Sequence, residues 1–447
     1  MGENVTANRT PAEIGLAEAF AQLDGKLPGN SDVKAKREEA FARFGSVGLP
    51  HRRVEAWHYT DLKSLQREAL PLAAPPSAEA KTAAWNAQTL FAGLGARRLV
   101  IIDGTVVPAL SDMDGLEPGL TVSTMAAALS EGDPFVASHL GTGRPVDDPA
   151  VELNTAFMGD GVVIRVAEGA VIERPIHLVF VATGDVPAST FVRSLVVVGN
   201  GAKLTLAESH QALGAAAYQP NIGLELVVGD DAQVDYVKCL RESTASQHLA
   251  SFMTALGARA VFNHFSLTTG GAVVRNQLFL KLNGEGACVD IRGANLLRGN
   301  QHADTTLVAD HLAPGCQARE VFKSVLADES RGIFQGKISV APDAQKTDAK
   351  MMAQALLLSE TAEFDSKPEL EIFADDVQCG HGTTAGALDE DLRFYLMARG
   401  IPADEAESLL IQAFVGETLE NIAHESLKSV LMSAVADWLQ AGGASHA

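Results

Sequence analysis

The sequence predicts a mainly β protein built on a parallel β-helix, flanked on both sides by α-helical regions. Seven turn triplets are the first reason: Glu168-Gly169-Ala170, Asn200-Gly201-Ala202, Asp230-Asp231-Ala232, Ala258-Arg259-Ala260, Glu285-Gly286-Ala287, Pro314-Gly315-Cys316 and Pro342-Asp343-Ala344. Their third residues fall 32, 30, 28, 27, 29 and 28 positions apart. Each interval holds two strand-forming runs, as in Ile176 to Ala182 and Phe191 to Val198, which is the content of one solenoid coil. Helix signals replace strand signals at either end. A β-sandwich also has short strands and turns, but it does not explain so steady a spacing.

Taken in order, residues 1–95 read as a helical region with a linker. Thr10-Pro11-Ala12-Glu13 supplies a cap, a first-turn proline and a capping-box glutamate, with Leu16, Phe20 and Leu23 on one stripe. A second helix starts at Ser31, turns Val33, Ala40, Phe41 and Phe44 inward and is expected to stop at Gly45. The aromatic-rich stretch Glu55 to Leu62 is suited to docking these helices onto a larger body, and Pro71 to Ala84 reads as a linker.

Residues 96–386 form the expected β-helix, with clear repeats from about 155. Alternation along Val321, Lys323, Val325 and along Phe334, Gly336, Ile338, Val340 supports strands. Residues 387–447 read as helical. Asp389 caps a helix carrying Leu392, Tyr395 and Leu396, and Pro402 opens another expected to bury Leu409, Leu410, Ala413 and Phe414. Leu427, Val430, Leu431, Ala434, Val435 and Trp438 then form one apolar stripe. A solenoid end exposes unpaired strand edges, so these helices are expected to cap it, to dock a partner, or both.

Composition narrows the function. With 447 residues, 47% of them hydrophobic, and a net charge of -21, the chain has the make-up of a globular protein without the basic face a nucleic-acid binder needs. No apolar run reaches membrane-spanning length and no secretory signal is evident, so a cytoplasmic setting is expected. The loose myristoylation pattern from Gly2 to Thr6 has no basic cluster beside it. Four cysteines without a CxxC argue for free thiols and against a four-cysteine zinc site.

The most suggestive chemistry lies between Ser366 and Gly386. Cys379 and His381 sit two apart, so on a strand both soft-metal ligands point the same way. Two ligands do not complete a site, so a partner chain or a transient, incompletely ligated cluster is required. Other candidates are weaker. His302, His311 and Cys316 fit no zinc spacing, and Cys316 reads as a small buried residue. Cys239 and Cys288 read as inert core thiols, and Asp375-Asp376 as turn chemistry. Gly199-Asn200-Gly201 lacks a dinucleotide-loop context and no P-loop is present, so ATP hydrolysis would belong to a partner. An alternative from another class is a carbohydrate-active β-helix enzyme such as a polysaccharide lyase. Four Tyr, three Trp and no recurring acid cluster speak against its sugar groove.

Several runs resemble the shared core of the SufB/SufD family of iron–sulfur cluster assembly proteins: Val321-Phe322-Lys323-Ser324-Val325-Leu326, Phe334-Gln335-Gly336-Lys337-Ile338, Ala344-Gln345-Lys346-Thr347-Asp348-Ala349 and Leu356-Leu357-Leu358-Ser359. Lys367-Pro368-Glu369-Leu370-Glu371-Ile372, Asp376-Val377-Gln378-Cys379-Gly380-His381-Gly382 and Phe394 to Ile401 resemble its SufD branch. Gly48-Leu49-Pro50 and Tyr59-Thr60-Asp61-Leu62 are similar to the family's N-terminal part. The resemblance implies a non-enzymatic scaffold subunit that pairs with a SufB-like paralogue and binds a SufC-like ATPase through its C-terminal helices. On these helices Leu392, Tyr395, Leu396, Leu409, Leu410 and Phe414 are the candidate contacts. It also implies a transient iron–sulfur cluster, shared with the partner, at His381 and with a less defined role for Cys379. A homodimer in the paralogue's absence and a flavin in the complex are left open.

Overall fold

The computed structural model describes residues 9–443 apart from 24, 88, 144, 146 and 147; the Gly2 pattern lies outside them. The chain winds into a flattened parallel β-solenoid by passing back and forth between two sheets. Lys203–Ala212, Gln233–Arg241, Val261–Thr268, Cys288–Leu297, Gln317–Leu326, Asp348–Leu357 and Gln378–Gly386 lie side by side in a ten-stranded sheet. Ala188–Val198, Tyr218–Val228, Gln247–Leu256, Val273–Leu282, His302–His311, Arg331–Val340 and Glu363–Ile372 do so in a nine-stranded one.

The turn triplets set the stacking. Ala202, Ala232, Ala260, Ala287 and Cys316 are all fully buried and form a ladder of small residues at one corner of the lumen core. Immediately before each comes a left-handed residue: Gly201 (φ 65°), Asp231 (φ 57°), Arg259 (φ 55°), Gly286 (φ 71°) and Gly315 (φ 69°). Glycine adopts this geometry without a Cβ clash; Asp231 and Arg259 hold it while forming a 2.6 Å ion pair with each other. The seventh turn departs from the sequence expectation. Its left-handed residue is Lys346 (φ 63°), and Asp348 pairs with Gln317, so buried Thr347 takes the ladder position. The triplet is therefore Gln345-Lys346-Thr347. Three extra residues lengthen this turn, and Ala344, also buried, lies early in it.

The N-terminal helices cover the outer face of the nine-stranded sheet. Pro11–Gln22 has the expected Thr10–Glu13 capping box. The second helix, Ser31–Val47, is capped by Asn30 and runs past Gly45 to Gly48, whose φ of 72° only glycine takes cheaply. Together with Pro149–Phe157 these helices pack Ala40, Phe44 and Phe157 toward Phe191 and Leu249 of the sheet. Glu55 to Leu62 docks as its aromatic content suggested: Trp57, Thr60 and Leu62 are buried, and the Arg275 guanidinium lies 4.2 Å from the Trp57 ring centre. The expected linker is partly helical. Ser77 caps Ala78–Asn86, a run of good helix formers whose Ala84 is buried against Val100 and Val179.

The C-terminal helices Glu390–Met397, Ala403–Gly416 and Glu425–Gly443 do not cap the solenoid end. They fold back over the ten-stranded sheet, whose outer face is itself apolar, and pack Ile411, Val415, Leu427, Leu431 and Val435 against Val237, Phe265, Leu267, Leu296 and Val325. In Ala403–Gly416 the buried residues are Ala406, Ile411 and Val415, not the expected set. Leu409 is 41% exposed, Ala413 is exposed, and Leu410 and Phe414 are half-buried. No described helix is long and apolar enough to cross a membrane.

The two ends of the stack differ. At the first, Leu120–Thr124 closes the nine-stranded sheet by pairing antiparallel to Val162–Val166, and Thr105–Val106 turns back on Arg97–Ile102. At the other, Glu363–Ile372 and Gln378–Gly386 are the outermost strands, each paired along one side only.

Candidate functional site

Cys379 and His381 both lie on the last strand of the ten-stranded sheet. Register stacks Cys379 on Ala349 and His381 on Met351, and Ala349 and Met351 belong to the lumen core. Both side chains are therefore on the inward face, at the open end. Cys379 is half-buried and packs against the core; burial raises its thiol above the ordinary value. His381 is exposed and makes no hydrogen bond or ion pair with the described residues. Ser366 Oγ and Thr383 Oγ1, 3.0 Å apart, bridge the two terminal strands beside them.

Two residues that the sequence reading passed over lie beneath. His381 stacks on Met351 and Met351 on Glu320, so a thioether and a buried carboxyl line the same inward column. Glycine at 336 makes room for the thioether, because a Cβ there would collide with Met351 Sδ. Glu320 is 1% exposed and neither carboxyl oxygen has a hydrogen-bond partner. Burial pushes its pKa up to about 8. The signal was period-2 position: Ala318, Glu320 and Phe322 face the lumen, while Val325 joins the cluster under the C-terminal helices.

Glu320 gives a pH prediction whose sign follows from linkage. Between the ordinary value of 4.5 and about 8, the folded chain keeps a proton that the unfolded chain releases, so this group's contribution to stability falls as pH rises through that window. Glu320→Gln should therefore be more stable than the parent at pH 8, by about 2–5 kcal/mol, and close to it near pH 4.5. Urea unfolding at both pH values measures this; an equal or negative change at pH 8 contradicts the unpaired carboxyl.

The remaining candidates hold no site. Cys316 is the buried ladder residue expected, and Cys239 is buried with its thiol raised to about 12. Cys288 is half-buried at a strand start rather than in the core. His302 contacts Thr60 Oγ1 at 2.9 Å, and Asp376 pairs with Lys346 in a turn. On the C-terminal helices, Glu390–Met397 buries no side chain. Leu392 is 51% and Tyr395 53% exposed, and Phe394 and Met397, which the sequence reading did not single out as contacts, join them at 72% and 42%. Leu396 is half-buried, and Phe414 packs beneath Lys323, whose Nζ lies 4.4 Å from its ring centre.

Comparison with known proteins gives this geometry its context. Residues 180–414 match the family model described as SUF system FeS cluster assembly, SufBD core domain, and residues 26–178 match the SufBD protein N-terminal region. The chain belongs to the SufBD family. Among relatives, it is 32% identical to the iron–sulfur cluster assembly SufBD family protein slr0076 of Synechocystis, over 90% of each chain. It is 30% identical to the iron–sulfur cluster assembly protein SufD of Escherichia coli, over 89% of this chain and 90% of that one. Protein ABCI7, chloroplastic, of Arabidopsis thaliana is 26% identical over 94% and 89%. This SufBD chain is thus a SufD-like iron–sulfur assembly protein, and the strand carrying Cys379 and His381 falls within the matched core.

Proposed function

We propose that this chain is a scaffold subunit whose open solenoid end pairs with a SufB-like paralogue and offers His381, with Cys379 beside it, to a cluster under assembly. The observation that carries this is the placement of an exposed imidazole and a half-buried thiol on the inward face of a strand paired on one side only. Unpaired edge groups are a ready template for a second chain. Imidazole and thiolate suit iron–sulfur ligation, yet they leave the coordination incomplete, so the cluster is cargo completed by the partner's donors. Without the paralogue, the same edge would pair two copies of this chain. A SufC-like ATPase docks on the exposed face of Glu390–Met397, with Leu409 at its border, and supplies the hydrolysis for which this chain has no P-loop. The setting is cytosolic, and whether a flavin joins the complex is a separate question from the role of His381.

Anaerobic co-purification with paralogue and ATPase tests the site. His381→Ala should lower iron and sulfide in the complex by about tenfold or more while leaving subunit ratios unchanged. Equal cluster content in parent and variant would remove His381 from the mechanism. Purified wild-type chain that cleaved an anionic polysaccharide would instead favour a lyase.

A further inference from the structure

Well away from the open end, three buried side chains with metal-ligand chemistry meet at one corner of the solenoid: His210, Glu242 and His248. They come from successive passes of the chain. His210 is near the end of Lys203–Ala212, Glu242 follows Gln233–Arg241, and His248 is near the start of Gln247–Leu256. Their facing atoms all lie within 4.8 Å of one another. His248 Nδ1 is 3.1 Å from Glu242 Oε2, and His210 Nδ1 is 3.8 Å from Glu242 Oε1. Two donors each about 2.0–2.1 Å from one ion stand roughly 2.8–3.4 Å apart at octahedral or tetrahedral angles, so His248 and Glu242 already fit and His210 must move inward.

An outer layer prepares the set. Glu208 Oε1 lies 2.6 Å from His210 Nε2, and Glu208 is itself held by Tyr236 OH at 2.8 Å and Lys238 Nζ at 3.1 Å. A carboxylate at Nε2 accepts a hydrogen bond from Nε2–H and so leaves the Nδ1 lone pair toward Glu242, the carboxylate–histidine pairing that orients metal ligands. At the same corner His248 Nε2 and Gln211 Nε2 are buried without partners. A small, mostly apolar cavity beside them also touches His210, Glu242, Tyr218, Gln211 and Asp103.

We propose that His210, Glu242 and His248 bind one divalent first-row transition-metal ion inside the solenoid. Two imidazoles and one carboxylate, without a thiolate, are the ligands of nitrogen- and oxygen-preferring sites for Fe2+, Co2+ or Zn2+. Six rungs of the sheet separate the strand of His210 from that of His381, roughly 29 Å at about 4.8 Å per rung. The internal site is thus independent of the role of His381.

Tag-free full-length protein, stripped with chelator and titrated with Co2+ and with Zn2+, tests this. The wild type should take up one ion per chain into the corner, with a Co2+ spectrum lacking thiolate charge transfer and a raised thermal midpoint. His248→Gln and Glu242→Gln should each weaken binding by about 100-fold or more. Glu208→Gln, which keeps all three ligands, should weaken it by about 10–100-fold, whereas Cys379→Ser with His381→Ala should leave it intact. A folded wild type that binds neither ion, or unchanged binding in folded His248→Gln and Glu242→Gln, overturns the proposal and leaves an ion-pair network that only braces the corner. The wild-type titration does not depend on any variant folding.

Discussion

Replacing Asp304 by alanine is expected to cost about 3–5 kcal/mol of stability, because it leaves a buried guanidinium without its counter-ion. Asp304 and Arg275 are both 0% exposed and paired directly. Arg275 also donates to Ala56 O at 2.6 Å and lies over Trp57, while Asp304 accepts from Thr60 Oγ1 and, at 3.2 Å, from Gln335 Nε2. The pair lies within the nine-stranded sheet, and each of its members also holds the docking stretch of the N-terminal region. Asp304→Ala combined with Arg275→Met removes both charges and should recover much of the loss, since a buried pair is costly chiefly when it is broken on one side. Denaturant unfolding of the parent, single and double variants gives the coupling. A single-variant loss under about 1 kcal/mol, or a double variant worse than the single, would mean that the pair is not what fastens the stretch.

The second large effect is expected at the C-terminal helices. Leu392→Glu with Tyr395→Glu should weaken ATPase association by about 100-fold or more, since apolar and aromatic anchors dominate such contacts. Because Glu390–Met397 buries nothing against the solenoid, the thermal midpoint should barely move. Deleting the whole C-terminal region is a poorer test. The later helices cover Phe265, Leu267, Leu296 and Val325, so truncation would strip an apolar sheet face and confound docking with unfolding. A binding titration in which the double variant holds the ATPase as tightly as the parent places the docking surface elsewhere.

The solenoid was legible because its corner chemistry repeats. A left-handed residue followed by a small buried one recurs about every thirty positions, and such geometry admits few residue types. The seventh turn breaks this pattern, because Ala344 is small and buried yet Thr347 holds the register. Face assignment was harder. Strands here are covered on both sides, so the alternation Val321, Lys323, Val325 looked regular without revealing that the lumen takes Ala318, Glu320 and Phe322. Lys323 meets Glu417 and the Phe414 ring under the C-terminal helices. That Cys379 and His381 share a face followed from strand periodicity; that the face is the lumen at an open end required the register. His210 and Glu242 stand 32 positions apart, about one coil, a coincidence that becomes informative once the coil length is known.

The two helical layers bear on how the molecule comes apart. A bare solenoid unravels rung by rung, because each coil touches only its neighbours. Here Trp57 and the first helices tie strands from Ala188–Val198 to Arg331–Val340, while the C-terminal helices tie strands from Lys203–Ala212 to Gln317–Leu326 across the opposite sheet. Rungs under both ties must open together. Gln378–Gly386 lies past them, with Cys379 as its anchor to the lumen core, so it is the rung whose opening costs least. Under the pairing proposed above, fraying of the final strand and capture of a second chain would draw on the same unpaired edge, and completion of the last coil would be part of assembly instead of a step before it.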